Sequence, residues 1–343
     1  MTILGLEYVE NGSMKQNLNN RYMKGTSKVA LVIQRLVNAG ALHDPHICSL
    51  IVNADVRPTL LFGSNIWGMH GLATQDPVKH ILQKPYSILM RKALCAQATL
   101  AHWIALLLTG HLPIQLIIIR DFLNFWNRCI CTSRMNGIVK ACIHAQSSML
   151  ALEQSCWLRE WDLALRRCLP THTYQHIHSQ FVSNSSVDVQ QCIQEMIMAY
   201  ESLLTSYGDP TDPQCRHRRI AKVFKQVTLA AIPMKKPKLV YSRLPPHAKR
   251  VWTAFLAGEA NIPANNLVGI TSYSHRICQK CGTGMVADEP HVVFHCTHTQ
   301  NVRQQYASTL KWPSSGTLER LLHENEVWTC ACFIHDIMQL YCN

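Results

Sequence analysis

A mostly α-helical protein is the fold class this sequence predicts, and three observations carry the prediction. Apolar residues recur at three- and four-residue steps along several long stretches, turn signals separate those stretches, and strand-like patterning is confined to a short N-terminal run. That run covers residues 4–9 and is closed by Glu10-Asn11-Gly12, an Asn-Gly turn signal. Residues 18–36 then read as an amphipathic helix with Lys and Arg on its outer face, and 47–61 as a second. Gly63, Gly68, Gly71 and Asp76-Pro77 punctuate the chain before helical patterns resume over 78–105 and 114–131. Over 150–168, Trp157, Trp161, Leu165 and Cys168 share one helical face, and Pro170 stops the helix. Residues 179–186 read as a polar loop and 187–204 as one more amphipathic helix. Tyr207-Gly208-Asp209-Pro210 with Asp212-Pro213 then reads as a linker and main boundary.

With 343 residues, 48% of them hydrophobic and 16% charged, the chain has apolar mass for two or three folded parts and is unlike a disordered tail. Its formal net charge of +12 and isoelectric point near 9.1 make polyanions the partners its field attracts, nucleic acid first and anionic membrane second. The opening MTILGLEYVENG has neither a basic start nor an apolar run, so no secretory signal is expected. The fifteen cysteines are therefore expected to be reduced, intracellular thiols, most of them buried as small hydrophobes. The sequence does not resolve nucleus from cytoplasm. The most apolar stretch, 104–119, is broken by Thr109-Gly110-His111 and Pro113 and falls short of the roughly 20 apolar residues of a membrane span. No membrane partner is expected.

Past the linker the charge becomes one-signed. Residues 213–258 contain no acidic residue. They carry Arg216, Arg218, Arg219, Lys222, Lys225, Lys235, Lys236, Lys238, Arg243, Lys249 and Arg250. Like charges unrelieved by acids repel, and a phosphate backbone is the usual relief, so these eleven residues are the candidate nucleic-acid contacts. Tyr241 and Trp252 lie among them, available either for base stacking or for the core.

The most specific signal follows. Cys278, Cys281, His291 and Cys296 stand in a Cys-x2-Cys-x9-His-x4-Cys spacing, four soft or borderline donors that suit a closed, structural zinc site of the zinc-knuckle kind. Gly282 and Gly284 give the backbone after the close Cys pair the freedom of a tight turn. His295 and His298 are rivals for the imidazole position.

Several stretches, in order, resemble one family. Ile3-Leu4-Gly5-Leu6 is similar to a Leu-Gly step. Val56-Arg57-Pro58 through Phe62-Gly63 to Ile66-Trp67-Gly68 is similar to a Val-x-Pro-x-Leu-x-Tyr-Gly-x-x-x-Trp block, with Phe62 where Tyr is usual. Gly110 to Ile114 is similar to a Gly-x-x-Pro turn, and Phe125-Trp126-Asn127-Arg128 to an aromatic helix. Arg276 with Cys278 and Cys281, then Asp288-Glu289-Pro290-His291 and Cys296, is similar to an Arg-x-Cys-x-x-Cys…Asp-Glu-x-His-x-x-x-x-Cys zinc motif. Together they resemble the C-terminal part of reverse transcriptases from non-long-terminal-repeat (LINE-type) retrotransposons. The resemblance favours His291 as the imidazole donor. It implies a thumb-like helical segment over 1–72, a helical connector over 73–205, and a basic segment with a small zinc-binding module and flanking helices over 206–343.

It also implies what is missing. In the family the catalytic aromatic-x-Asp-Asp turn precedes the Leu-Gly step, and no two aspartates are adjacent in this chain, so no polymerase activity is expected of it. No Pro-Asp nuclease motif follows Cys296. Neither a nucleophile elbow nor a phosphate-binding glycine loop is present, so no small-molecule substrate or nucleotide cofactor is expected. The expected function is RNA or DNA binding without catalysis. Two other readings stand beside it: an inactive retroelement-derived fragment or protein-interaction module, and an accessory part of a split reverse transcriptase partnered by a palm-containing chain. Cys129 with Cys131 and Cys330 with Cys332 are spaced too closely for an ordinary zinc pair, and His172, His176 and His178 read as surface histidines.

Overall fold

The computed structural model describes residues 2–3, 6–7, 15–72, 76–96, 100–131, 137–207, 244–266, 271–313 and 318–342. These residues are mostly helical, as the apolar periodicity predicts. The chain packs as two units that interleave in sequence. The first comprises Met1–Asn38, Leu50–Leu89 and Leu112–Tyr200; the second comprises Ala39–Ser49, Met90–His111 and Glu201–Asn343.

In the first unit Thr2–Ile3 (β1) pairs antiparallel with Leu6–Glu7 (β2), with Ile3 opposite Leu6. Helix α1 spans Lys15–Asn38. Pro45–Ile51 (α2), which lies mostly in the second unit, a π turn over Val52–Val56 and Arg57–Leu61 (α3) follow without a break. Pro58 explains the π turn: a proline has no N–H and its ring crowds the carbonyl four residues back, so the ladder widens and the Arg57 N–H donates to Val52 O. Next come Ser64–Trp67 (α4) and Gln83–Ala93 (α5). His102–Thr109 (α6) belongs to the second unit. Ile114–Cys131 (α7), Gly137–Ala151 (α8), Trp157–Cys168 (α9), Thr171–Val182 (α10) and Val189–Tyr207 (α11) complete the series.

The block from Phe62 to Gly68 acts as a hub for indoles. Trp67 donates to Phe62 O at 3.0 Å, Trp161 to Asn65 O at 3.0 Å and Trp157 to Ile66 O at 3.3 Å. A buried indole N–H left unbonded would oppose folding, so this short block around α4 orients three large side chains at once. Gly63 sits at φ +70°, which glycine adopts without penalty. At Gly68 a Cβ would stand 2.8 Å from Ile118 and 3.1 Å from Trp161, so the absence of a side chain is what lets α7 and α9 close on it. Phe122 stacks on Trp161 at 3.8 Å, and Phe181 meets Trp126 edge-on at 4.8 Å. Asn127 exchanges two hydrogen bonds with the Val187 backbone, at 2.7 and 2.8 Å, fixing α7 to the entry of α11.

Three element boundaries depart from the sequence expectation. The stretch 78–105 holds a 3-10 turn at Pro77–Lys79 and then α5 and α6 as separate helices, and 150–168 is divided between the end of α8 and α9. Residues 179–182, expected in a loop, belong to α10, because Thr173, Ile177 and Phe181 form a fully buried four-residue ladder there.

In the second unit Pro246–Leu256 (α12) packs on the C-terminal helix Val327–Cys342. Between them come Pro263–Asn266 (α13), Gln300–Gln305 (α14) and Leu318–Glu324 (α15), which makes the C-terminal helix α16. Trp252, Phe255, Phe333, Ile334 and Ile337 form its core. Thr253 Oγ1 donates to Leu94 O at 3.1 Å, which ties α12 to the segment after α5.

Candidate metal centre

The metal motif is built on a short antiparallel pairing. Ile277 bridges Val286, Cys278 N donates to Met285 O and Ala287 N to Arg276 O, both at 2.8 Å. The hairpin needs left-handed backbone at its tip, and Gly282 and Gly284 supply it at φ +66° and +71°. Behind the hairpin, the buried Arg276 guanidinium donates to Thr271 O and Ala264 O at 2.8 Å. Asp288 precedes the helical turn that starts at Glu289 and leads into His291–His295: its Oδ1 accepts from His291 N at 2.9 Å, the bond a capping carboxylate makes to the third residue of a helix. Glu289 is fully buried and accepts from Asn265 Nδ2 at 2.9 Å. The charged residues of the motif thus build the frame that aims the donors.

The frame brings Cys278, Cys281, His291 and Cys296 together, one donor atom each, all within 4.8 Å of one another. Cys278 Sγ lies 3.8 Å from Cys296 Sγ, and Cys281 Sγ lies 3.3 Å from His291 Nε2. A disulfide would need about 2.05 Å. A tetrahedron with metal–sulfur bonds of about 2.3 Å has edges of about 3.8 Å. The four side chains therefore lie close enough to hold a metal ion, with open thiols at the spacing one requires. Among the described residues this is the one such group. His295 and His298 are exposed and stand outside it, His298 Nε2 donating to Leu340 O at 3.3 Å.

Each sulfur also meets a hydrogen-bond donor. Thr283 serves Cys281 through its hydroxyl, at 3.0 Å, and through its N–H. The His298 N–H serves Cys296, and the Tyr341 hydroxyl lies 3.3 Å from Cys278 Sγ. For the protein groups alone, burial works to raise the Cys281 thiol, but the Thr283 hydrogen bonds and those from Cys278 and Cys296 prevail and take it down to about 7. Burial and the neighbouring thiols push Cys296 up to about 12, and burial lowers His291. Three anionic sulfurs do not tolerate one another in this space unless a cation joins them. His291 Nδ1 is buried without a hydrogen-bond partner among the described residues, leaving Nε2 as the nitrogen that faces the thiols.

Of the basic candidates, Arg216, Arg218, Arg219, Lys222, Lys225, Lys235, Lys236, Lys238 and Arg243 lie outside the described residues, as does Tyr241. Arg250 is exposed. Lys249, expected at the surface, is turned inward: it is 6% exposed and its ammonium donates to His43 O at 2.5 Å. Burial lowers its pKa, and Asp44 and the Cys95 and Cys48 thiols oppose that shift. Trp252 is a core residue. The histidines of α10 acquire carboxylate partners from other helices: His178 Nδ1 lies 2.7 Å from Asp162, which also accepts from Tyr174, and His172 lies 3.4 Å from Glu195. The sequence reading missed Tyr341, which stands 63 residues from Cys278, beyond any spacing rule.

Compared with known proteins, the chain matches no family model, no curated protein and no solved structure at a significant level. Among the described residues no helix is long and apolar enough to cross a membrane.

Proposed function

We propose that this chain is a nucleic-acid-binding, non-catalytic portion of a LINE-type reverse transcriptase, its C-terminal unit held by a structural zinc ion. The observation that carries the reading is the closed set Cys278, Cys281, His291 and Cys296, lying downstream of a stretch of 46 residues, 213–258, without a single acid. Three thiols and one imidazole, their donor atoms all within 4.8 Å of one another and with a donor for each sulfur, suit zinc above harder cations. Cys278 and Cys296 are buried and no further donor is needed, so the ion contributes folding free energy and activates no water. Arg216, Arg218, Arg219 and the lysines and arginines that follow, Lys249 apart, supply the phosphate contacts.

The test is binding of the full chain to single-stranded RNA, single-stranded DNA and duplex DNA across a salt series, with and without a zinc chelator. We expect affinity that falls steeply with salt and is lost on chelation. Replacing Arg216, Arg218 and Arg219 with alanine lowers affinity for all sequences alike and flattens the salt slope by about 0.7–0.9 for each phosphate no longer neutralised. Failure of the zinc-loaded chain to bind any of the three would reject the reading in favour of a relic or a protein-contact module. Polymerase activity that emerges only on mixing with a palm-containing chain would make this the accessory half of a split enzyme.

A further inference from the structure

Three thiolates around one divalent cation leave a net negative charge, and in a water-poor interior that charge must be spread onto hydrogen-bond donors. Two of the sulfurs find donors next to them in sequence, Cys281 at Thr283 and Cys296 at the His298 N–H. Cys278 does not. It is 1% exposed, its own N–H is engaged with Met285 O, and its sulfur faces Tyr341 Oη at 3.3 Å. Tyr341 is itself 4% exposed, and it comes from the last turn of α16. A phenol has an ordinary pKa near 10, so a buried one keeps its proton and is a donor toward a thiolate.

The neighbours of Tyr341 are fastened as well. Leu340 O accepts from His298 Nε2 at 3.3 Å, two residues from the ligand Cys296. Cys342 Sγ donates to Asn261 O at 3.4 Å, close to α13, whose Ala264 O and Asn265 hold Arg276 and Glu289. Three successive residues of the final turn are thus hydrogen-bonded into the frame of the metal centre.

We propose that Tyr341 is a positioning residue of this centre: its hydroxyl donates to the Cys278 thiolate and makes the end of the C-terminal helix part of the metal-bound state. The inference rests on the metal reading above. Replacing the hydroxyl while keeping the ring removes charge from no ligand and alters no ligand atom, yet it takes away the hydroxyl donor at Cys278 Sγ, whose other hydrogen-bonding contact is the fellow ligand Cys296. Outer-shell partners of metal ligands are worth about 10- to 100-fold in affinity.

The experiment is cobalt substitution of the full-length chain and of Tyr341→Phe, read by the thiolate-to-cobalt charge-transfer band and by chelator competition. We expect the variant to keep a tetrahedral ligand-field spectrum, to bind the metal about tenfold more weakly, and to shift the charge-transfer band to lower energy, because a thiolate without its donor gives up an electron more easily. Tyr306→Phe is the control: the Tyr306 hydroxyl donates to Asp336 at 2.7 Å, away from the sulfurs, so its loss is expected to lower stability and leave both metal readouts in place. If the wild-type chain binds no cobalt, the metal reading fails and this inference with it. If the wild type binds and Tyr341→Phe matches it in band position and affinity, the inference alone is overturned. Should the variant fail to fold, hydrogen exchange of the wild type decides. Protection lost together from 278–296 and the last turn of α16 on chelation supports the coupling, and a last turn that stays protected overturns it.

Discussion

Asp288→Ala isolates what the capped turn is worth to the metal. The Asp288 carboxylate accepts from His291 N at 2.9 Å, so it holds the first residue of the turn whose imidazole faces the thiols. Loss of an N-cap acceptor costs about 1 kcal/mol, with an upper range near 2. In the metal-bound state the turn must be formed, so most of that cost falls on binding. At about 1.4 kcal/mol per decade, metal affinity weakens about 5-fold, and about 30-fold at the upper range. Competition against a chromophoric chelator measures this directly. Asp288→Asn keeps an acceptor at the same place and is expected to stay within about 2-fold of wild type, the difference being the lost charge near the positive end of the turn. Two results refute the reasoning: an alanine variant that binds as tightly as wild type, or an asparagine variant as weak as the alanine one.

The remaining predictions concern the first unit. His80 is buried, which lowers its pKa to about 4, against about 6.5 in an unfolded chain. The folded state therefore excludes a proton that the unfolded state accepts. The stability is fully present above pH 6.5 and is lost as the pH falls toward 4, by about 3 kcal/mol. His80→Asn removes this acid limb in denaturant titrations at several pH values, and an unchanged limb would assign it elsewhere. Gly71→Ala places a Cβ 2.2 Å from His80 Nε2, and overpacking of this kind costs about 1–3 kcal/mol; a urea midpoint equal to wild type would mean that the ring moves aside freely. Trp161→Phe empties volume beside Phe122 and leaves Asn65 O without its indole donor, a loss of about 2–4 kcal/mol in chemical denaturation. A loss below about 1 kcal/mol would show that the indole bond is not what seats this helix.

The helical class and the three candidate cysteine donors were legible because both rest on short-range spacing. Spacing alone left His291, His295 and His298 as rivals, and the resemblance favoured His291, which the structure places with the thiols. Residues 114–131 show this best, since an unbroken apolar ladder and a preceding Pro113 leave no other reading. Some helix ends were illegible for a definite reason. At Cys95, Glu153 and Asn184 the backbone is left-handed, at φ +54°, +54° and +55°. The same closing pattern surrounds each: Ala96 N to Arg91 O, Gln154 N to Met149 O, and Ser185 N to Gln180 O. This is the Schellman stop, usually marked by glycine. Without glycine there, the periodic pattern carries no sign of the break, so α5 and α6 read as one stretch and the junction of α8 and α9 vanished. Long-range partners were equally hidden. Nothing local to Lys249 announces that a carbonyl at His43 will draw it inward, just as nothing near Cys278 points to Tyr341.

The bonds from Lys249 to His43 O and from Thr253 to Leu94 O also govern where the polypeptide can be cut. A fragment starting at 206 carries every metal donor, and by sequence it looks self-sufficient. It would nevertheless lack both carbonyls, so Thr253 would lose its acceptor and Lys249 the contact that draws it inward, along with the other segments of the same compact unit. With His43 gone, water can solvate the ammonium, so what the fragment loses is the packing and the two hydrogen bonds, each worth about 1 kcal/mol net. In this unit the metal motif is contiguous, whereas the folding unit that houses it is assembled from both halves of the chain.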